Sequence, residues 1–312
     1  MIMAEVSTIS VDQHGDSGQP HDRSVSQKPE SLWADVWYAL SHNATAMISL
    51  AFIALLALVA LITRVFPAVL PCDPYEQDMT LSFAAPNAQH LFGCDQQGRD
   101  LFSRILVGTQ ISLTVGLLAV SISLVVGVTL GAIAGYKGGK VDTIIMRLMD
   151  IMLAVPSILL AITFMAALGR GIDKAVVAIG LVSIPEYARI VRSQILAVKA
   201  SDYVSAARVI GDSDATIIFR HVLPNVMPSI IVRATLGNAS AILDCAARGF
   251  LGWGVQPPEA EWGDMLGRGR NYIFSAPHSM IFPGLAISLT VLAFNLLGDG
   301  IRDALDPKAR KR

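Results

Sequence analysis

Hydrophobic residues in this chain come in long runs separated by short polar segments. Crossing the ~30 Å hydrocarbon core of a bilayer takes about 20 helical residues, and the runs predict six membrane helices, over residues 45–62, 111–135, 144–168, 175–190, 230–247 and 280–297. The second carries Gly127, Gly131 and Gly135 at four-residue spacing, which sets three small residues on one helix face and predicts a close helix–helix seam. The third contains Asp150 and Pro156, and the fourth is short and kinked near Pro185. Residues 1–42 are polar and predict a largely disordered tail with a short interfacial helix over 32–40, leaving 43–312 as one transmembrane domain. The first apolar run begins too far from the N-terminus, and is too long, for a cleavable signal peptide.

Lysine and arginine set the orientation, because they concentrate in cytoplasmic segments. With the N-terminus inside, fifteen fall on the inner side, among them Lys137, Lys140, Arg189, Arg192, Lys199, Arg208 and Arg220, against eight outside. Both termini are then cytoplasmic, and Arg233 snorkels from near the inner end of the fifth helix. Hydrophobic residues make up 53% of the chain, charged residues 16%, and mean hydropathy is +0.53, which fits an all-α integral membrane protein. A net charge of −1 argues against nucleic-acid binding. Three cysteines are too few for a disulfide scaffold and show no metal-ligand spacing, so no metal is expected.

One polar stretch, residues 201–225, interrupts the apolar pattern. Ser201 and Asp202 offer a helix start, Ser205, Ala206 and Ala207 a small face, and Gly211 the positive φ that ends a helix. Residues 212–214 can cap a second short helix over 215–222, which is expected to stop before Pro224 because a residue preceding proline disfavours helical geometry. The stretch reads as two short helices joined by a glycine elbow, a shape suited to a socket in a soluble partner. The P-loop, H-E-x-x-H and G-x-S-x-G patterns are absent, so no catalytic site is expected. Ionisable residues inside membrane helices are costly and often functional. Asp244, with Asn238 and Ser240, is a candidate for lining a translocation path; the other reading, favoured for Asp150, is that each aspartate satisfies a neighbouring helix or sits near an interface. Asp299 and Asp303 mark the end of the sixth helix. Glu259, Glu261 and Trp262 are read as a solvated loop that can rim the passage or dock a binding protein.

The elbow's spacing resembles the EAA coupling loop of ABC importer permeases, EAA-x3-G-x9-I-x-LP. Ala206, Ala207, Gly211, Leu223 and Pro224 match it, while Ser205 stands in place of Glu and His221 in place of Ile. Residues 90–104, HLFGCDQQGRDLFSR, resemble the H-x-x-G-T-D-x-x-G-R-D-x-x-S-R signature of peptide-type permeases through Gly93, Asp95, Gly98, Arg99 and Asp100, with Cys94 in place of Thr. Cys72 lies in the same loop, which leaves either a Cys72–Cys94 disulfide in an oxidising compartment or two free thiols. Residues 238–266 and 282–308 extend the resemblance, which runs from about Trp33 to the C-terminus, to the DppC-type permease subunit of dipeptide/oligopeptide/nickel importers.

This resemblance implies a MetI-like ABC importer permease fold with a cytoplasmic EAA loop, in the inner membrane of a bacterium. It further implies a homologous second permease, two cytoplasmic ABC ATPases, an extracytoplasmic solute-binding protein, and the surrounding membrane lipid as partners. No cofactor belongs to the chain itself, ATP and Mg being bound by the ATPases. The cargo class is short peptides, with haem-like molecules and nickel complexes as other cargoes of such systems. Asp202, Ser205, Ala206, Ala207, Arg208, Gly211, His221, Leu223 and Pro224 would form the ATPase contact. Two rival classes differ in what drives them: a proton-coupled secondary transporter would relay protons through Asp150 or Asp244, and a membrane aspartyl protease would need those two residues face to face.

Overall fold

The computed structural model describes residues 32–169 and 171–306. The tail over 1–31, Arg170 and the basic residues beyond Asp306 lie outside the described residues, as does the expectation of a disordered tail. Every regular element among the described residues is helical: α1 (Leu32–Ser41), α2 (Ala44–Val65), α3 (Leu101–Lys137), α4 (Gly139–Ala154), α5 (Ser157–Leu168), α6 (Ile172–Lys199), α7 (Asp202–Ile210), α8 (Asp214–Thr216), α9 (Leu223–Phe250), α10 (Trp262–Gly269) and α11 (His278–Leu305). Side chains cap the two long entries: Asn43 Oδ1 accepts the Ala46 amide, and Asp100 Oδ2 accepts the Ser103 amide at 2.7 Å.

Among the described residues, four stretches are long and apolar enough to cross a membrane, 44–65, 101–137, 214–250 and 278–305. A fifth arises only if α4 and α5 count together, because they meet at 97°. The single span expected over 144–168 is therefore broken. Val155 is extended (φ −93°, ψ 132°), as the residue before Pro156 prefers, and the proline has no N–H to carry the helix onward. Pro185, Pro228 and Pro283 remain inside continuous helices. The fourth expected helix grows from 175–190 to the 28 residues of α6, with Glu186, Arg189 and Arg192 inside it. Asp299 and Asp303 lie within α11 rather than beyond it.

The seam expected from the α3 glycines exists, and its partner is α6. A Cβ on Gly127 would stand 2.5 Å from Tyr187 Cβ, one on Gly131 2.5 Å from the Ala188 carbonyl oxygen, and one on Gly135 3.0 Å from that of Arg192. Only residues without a side chain let the two backbones approach so closely. Higher in the seam, Ser123 Oγ donates to the Gly180 carbonyl at 2.8 Å. α9 packs on α3 and α6 through Val120, Tyr187, Ala241 and Cys245. At one end of the bundle α1, α2 and α11 join through Leu40, Ala46 and Ala304.

The opposite end carries a folded polar cap rather than an open loop. Asp95 pairs with Arg99 at 2.7 Å, and the buried Arg104 guanidinium donates to the Pro74 carbonyl at 2.9 Å. Gly98 takes φ +71° where a side chain would run into the Asp78 backbone. Glu261 and Trp262 are buried, which corrects their reading as a solvated rim. The Glu261 carboxylate accepts the Gly263 and Asp264 amides at 2.8 Å each, and the Trp262 indole donates to the Ile105 carbonyl at 3.0 Å. Burial pushes the Glu261 carboxyl up to about 7 even though both amides favour its charged form.

Candidate functional site

The elbow forms, with changes that matter. Gly211 is left-handed (φ +98°) and its amide closes on the Ala207 and Arg208 carbonyls, ending α7. Ser201 flanks α7 but makes no side-chain cap, its hydroxyl donating instead to the Val198 carbonyl. Beyond the glycine, Ser213 caps the next turn by accepting the Thr216 amide. The chain does not stop before Pro224. Residues 217–222 form a π-helical turn, closed by the Leu223 amide on the Ile218 carbonyl, and pass directly into α9. The wider turn moves Pro224 into the first turn of α9, where its missing N–H leaves no bond unmade. The elbow is thus the leading end of the third long span.

A hub at the end of α3 ties the elbow to the bundle. The buried Tyr136 donates its hydroxyl to Asp214 Oδ1 at 2.9 Å. The Lys199 ammonium donates to the Tyr136 carbonyl, and the Arg208 guanidinium lies 5.7 Å from the ring centre. Val204, Ala207, Ile217 and Val222 bury against Ala132, Val191 and Ile195 of α3 and α6. Ala207 therefore faces the core, which corrects its expected place on the partner-facing side. Asp202, Ser205, Ala206, Arg208 and Pro224 are exposed, and Leu223 is half-buried. His221 pairs with Asp212 at 3.1 Å. The strongest feature of this surface escaped the sequence reading: Val209 is 88% exposed, Ile210 83% and Phe219 70%. The Val209–Ile210 pair was the available signal, since adjacent residues on a nine-residue helix cannot both face one core.

A cavity of about 360 Å³ opens where the α4–α5 break faces α3, α6 and α9. Ser157 of the break, Ser183, Glu186 and Tyr187 of α6, and Arg233, Ser240 and Asp244 of α9 line it. Asn238 does not; its amide donates to the Ala234 carbonyl at 2.9 Å. Arg233 pairs with Glu186 and lies 5.4 Å from the Tyr187 ring centre. Arg233 thus sits opposite the midpoint of α6 rather than near a helix end, because the span that contains it begins at residue 214. Glu186 was missed as a site residue, though an acid following Pro185 inside an apolar run was a readable signal. Asp244 has Arg248 beside it at 3.9 Å. Asp150 is satisfied by Arg189 at 2.7 Å, the reading in which it serves a neighbouring helix.

At the capped end, Gly93, Asp95, Gly98, Arg99 and Asp100 build the turn that starts α3, Asp95 accepting the Gln97 amide at 2.8 Å. Cys72 and Cys94 are not bonded to each other in this structure. Burial, reinforced by Asp100, pushes the Cys94 thiol up to about 11. Cys72, His90 and Asp100, well separated in sequence, present ligand-type atoms within 4.8 Å of one another.

Comparison with known proteins places these features. Residues 127–311 match the family of binding-protein-dependent transport system inner membrane components, and residues 31–86 match the N-terminal TM domain of oligopeptide transport permease C. The dipeptide transport system permease protein DppC of Alkalihalophilus pseudofirmus is 44% identical over 94% of this chain and 95% of its own length. A di/tripeptide transport system permease DppC of Pseudomonas aeruginosa is 46% identical over 88% of this chain and 92% of its own length. The glutathione transport system permease GsiD of Escherichia coli is 44% identical over 91% and 94%. Among solved structures, an inward-facing MetNI methionine ABC transporter aligns with TM-score 0.55 at 19% identity, over 65% of this chain and 96% of its own, a likeness of fold. With long spans, a family match over more than half its length and relatives this similar over nearly all of it, the chain belongs to the binding-protein-dependent inner-membrane transport components, as a DppC-type permease subunit and not itself an enzyme.

Proposed function

We propose that this chain forms one half of the pathway of an ATP-driven importer of dipeptides and short peptides, and that its elbow couples that pathway to cytoplasmic ATPases. The observation that carries the reading is the elbow itself. Its inner face is fastened to α3 and α6 through Tyr136, Val204 and Ile217, while Val209, Ile210 and Phe219 stand in solvent with Arg208 beside them. An apolar cluster with a basic rim on a rigid support is a surface built to be covered. A homologous second permease completes the pathway, α6 serves as a sixth span, and both termini and the elbow face the cytoplasm, in line with the distribution of Lys and Arg. ATP closes the two ATPases, the elbows move with them as rigid bodies, and the helix bundles rock so that the cavity opens outward to a solute-binding protein. Separation after hydrolysis opens it inward.

Peptide as cargo is supported by the dipeptide and glutathione systems of the relatives and by the cavity's bipolar lining. Arg233 and the start of α5, which no side chain caps, suit a carboxylate; Glu186 and Asp244 suit an amino group. The test is purification of the tagged chain in mild detergent from its native host, alongside Ile210→Asp and Phe219→Asp variants. A second permease and P-loop ATPases are expected with the wild type, and only the permease with the variants. A wild-type chain that emerges alone after cross-linking, or variants that retain the ATPases and normal uptake, would refute the reading.

A further inference from the structure

The Cys72–His90–Asp100 cluster belongs neither to the elbow nor to the cavity. Cys72 follows α2 and is partly exposed; His90 and Asp100 are buried in the turn that starts α3. The three donors are a thiol, an imidazole and a carboxylate, the set that a divalent zinc ion accepts at ~2.3 Å, ~2.0–2.1 Å and ~2.0–2.2 Å respectively. Around one tetrahedral ion such donors stand about 3.5 Å apart, so donors already within 4.8 Å need contract by only about 1 Å, a movement that rotation of the Cys72 side chain can supply.

The surroundings are organised as a metal site requires. Asp100 Oδ1 lies 3.0 Å from His90 Nδ1, and its other oxygen is held by the Ser103 amide. His90 Nδ1 and Asp100 Oδ1 thus already stand near the separation of two donors on one ion. Ser103 Oγ also accepts the Cys72 amide at 3.3 Å, placing the thiol-bearing residue against the base of α3. The partly exposed Cys72 leaves an approach from solvent.

We propose that Cys72, His90 and Asp100 bind one Zn2+ ion, which clips the segment after α2 to the start of α3. The ion joins positions 28 residues apart and holds the capped end that Arg104 and Trp262 otherwise bind together. The open fourth position is taken by water. The site is independent of the transport reading and of the elbow.

The reduced chain, purified in detergent and freed of metal, is titrated with Zn2+ and, for its spectrum, with Co2+. One equivalent is expected to bind tightly, with sulfur-to-cobalt charge transfer in the near ultraviolet and a rise in melting temperature on adding Zn2+. Cys72→Ser is expected to fold, since its side chain is partly exposed, to weaken binding at least tenfold and to lose the charge-transfer band. Cys94→Ser is expected to keep both. Stoichiometric binding unchanged in Cys72→Ser, only weak binding without a thiolate band in the wild type, or a Cys72–Cys94 disulfide in protein taken from native membranes would each overturn the proposal.

Discussion

Replacing Gly131 by alanine tests the α3–α6 seam with a single methyl group. The new Cβ would lie 2.5 Å from the Ala188 carbonyl oxygen and 3.0 Å from Val191 Cβ, where ordinary contact begins at 3.4 Å. The first obstacle is backbone and cannot rotate away, so the two helices must part by roughly 0.9 Å, a gap at which each facing atom pair loses about a quarter to a half of its dispersion energy. Overpacking of this kind costs about 1–3 kcal/mol, against a gain of about 1 kcal/mol from alanine's better helix propensity. The expected net is a loss of up to about 2 kcal/mol. Gly284 in α11 supplies the opposite case. Its added Cβ would meet only Leu266 Cδ1, at 3.5 Å, so the propensity gain stands unopposed. Thermal unfolding in detergent, followed by circular dichroism, is expected to place Gly131→Ala below the wild type and Gly284→Ala level with it or above. A Gly131→Ala melting temperature at or above the wild-type value would show that the seam relaxes freely and refute the reasoning.

Tyr136→Phe keeps the buried ring and removes the hydroxyl that Asp214 accepts, a bond to a charged group worth about 1.5–3 kcal/mol at most; reconstituted complexes are expected to hydrolyse ATP with reduced uptake per ATP, and an unchanged ratio would remove Tyr136 from the coupling path. Glu261 has a carboxyl raised to about 7 in the fold from an ordinary 4.5, so its protonated form is the one the fold favours. Its contribution is complete below about pH 4.5 and is lost as pH rises through about 7, an effect of up to ~3 kcal/mol. Glu261→Gln is expected to flatten the melting-temperature profile between pH 5 and 8, and a profile identical to the wild type would count against it. Ser240→Trp fills part of the cavity from an exposed position on α9; uptake is expected to fall at least tenfold while the ATPases still co-purify, and retained uptake would place the path elsewhere.

Local chemistry was enough to determine much of this protein. Apolar run length located the long helices, because a membrane helix must satisfy its own backbone and hide it in lipid-compatible side chains. The spacing of Gly127, Gly131 and Gly135 determined that α3 has a contact face, since that periodicity belongs to one helix. The positive φ at Gly211 was readable for the same reason. What tertiary structure alone decided were matters of partnership and depth. The glycine face does not name α6. Pro156 breaks a span while Pro185 and Pro228 stay inside continuous helices, although each removes the same backbone donor. The π-helical turn before Pro224 carries the elbow into α9, and with that shift Arg233 moves from a helix end to the middle of its span, opposite Glu186. Ala207 turned inward and Ile210 outward because a nine-residue helix has one buried stripe, and only the packed α3 and α6 determine where it falls. Cys72, His90 and Asp100 have no sequence spacing in common; the folded turn ahead of α3 brings them within reach of one ion.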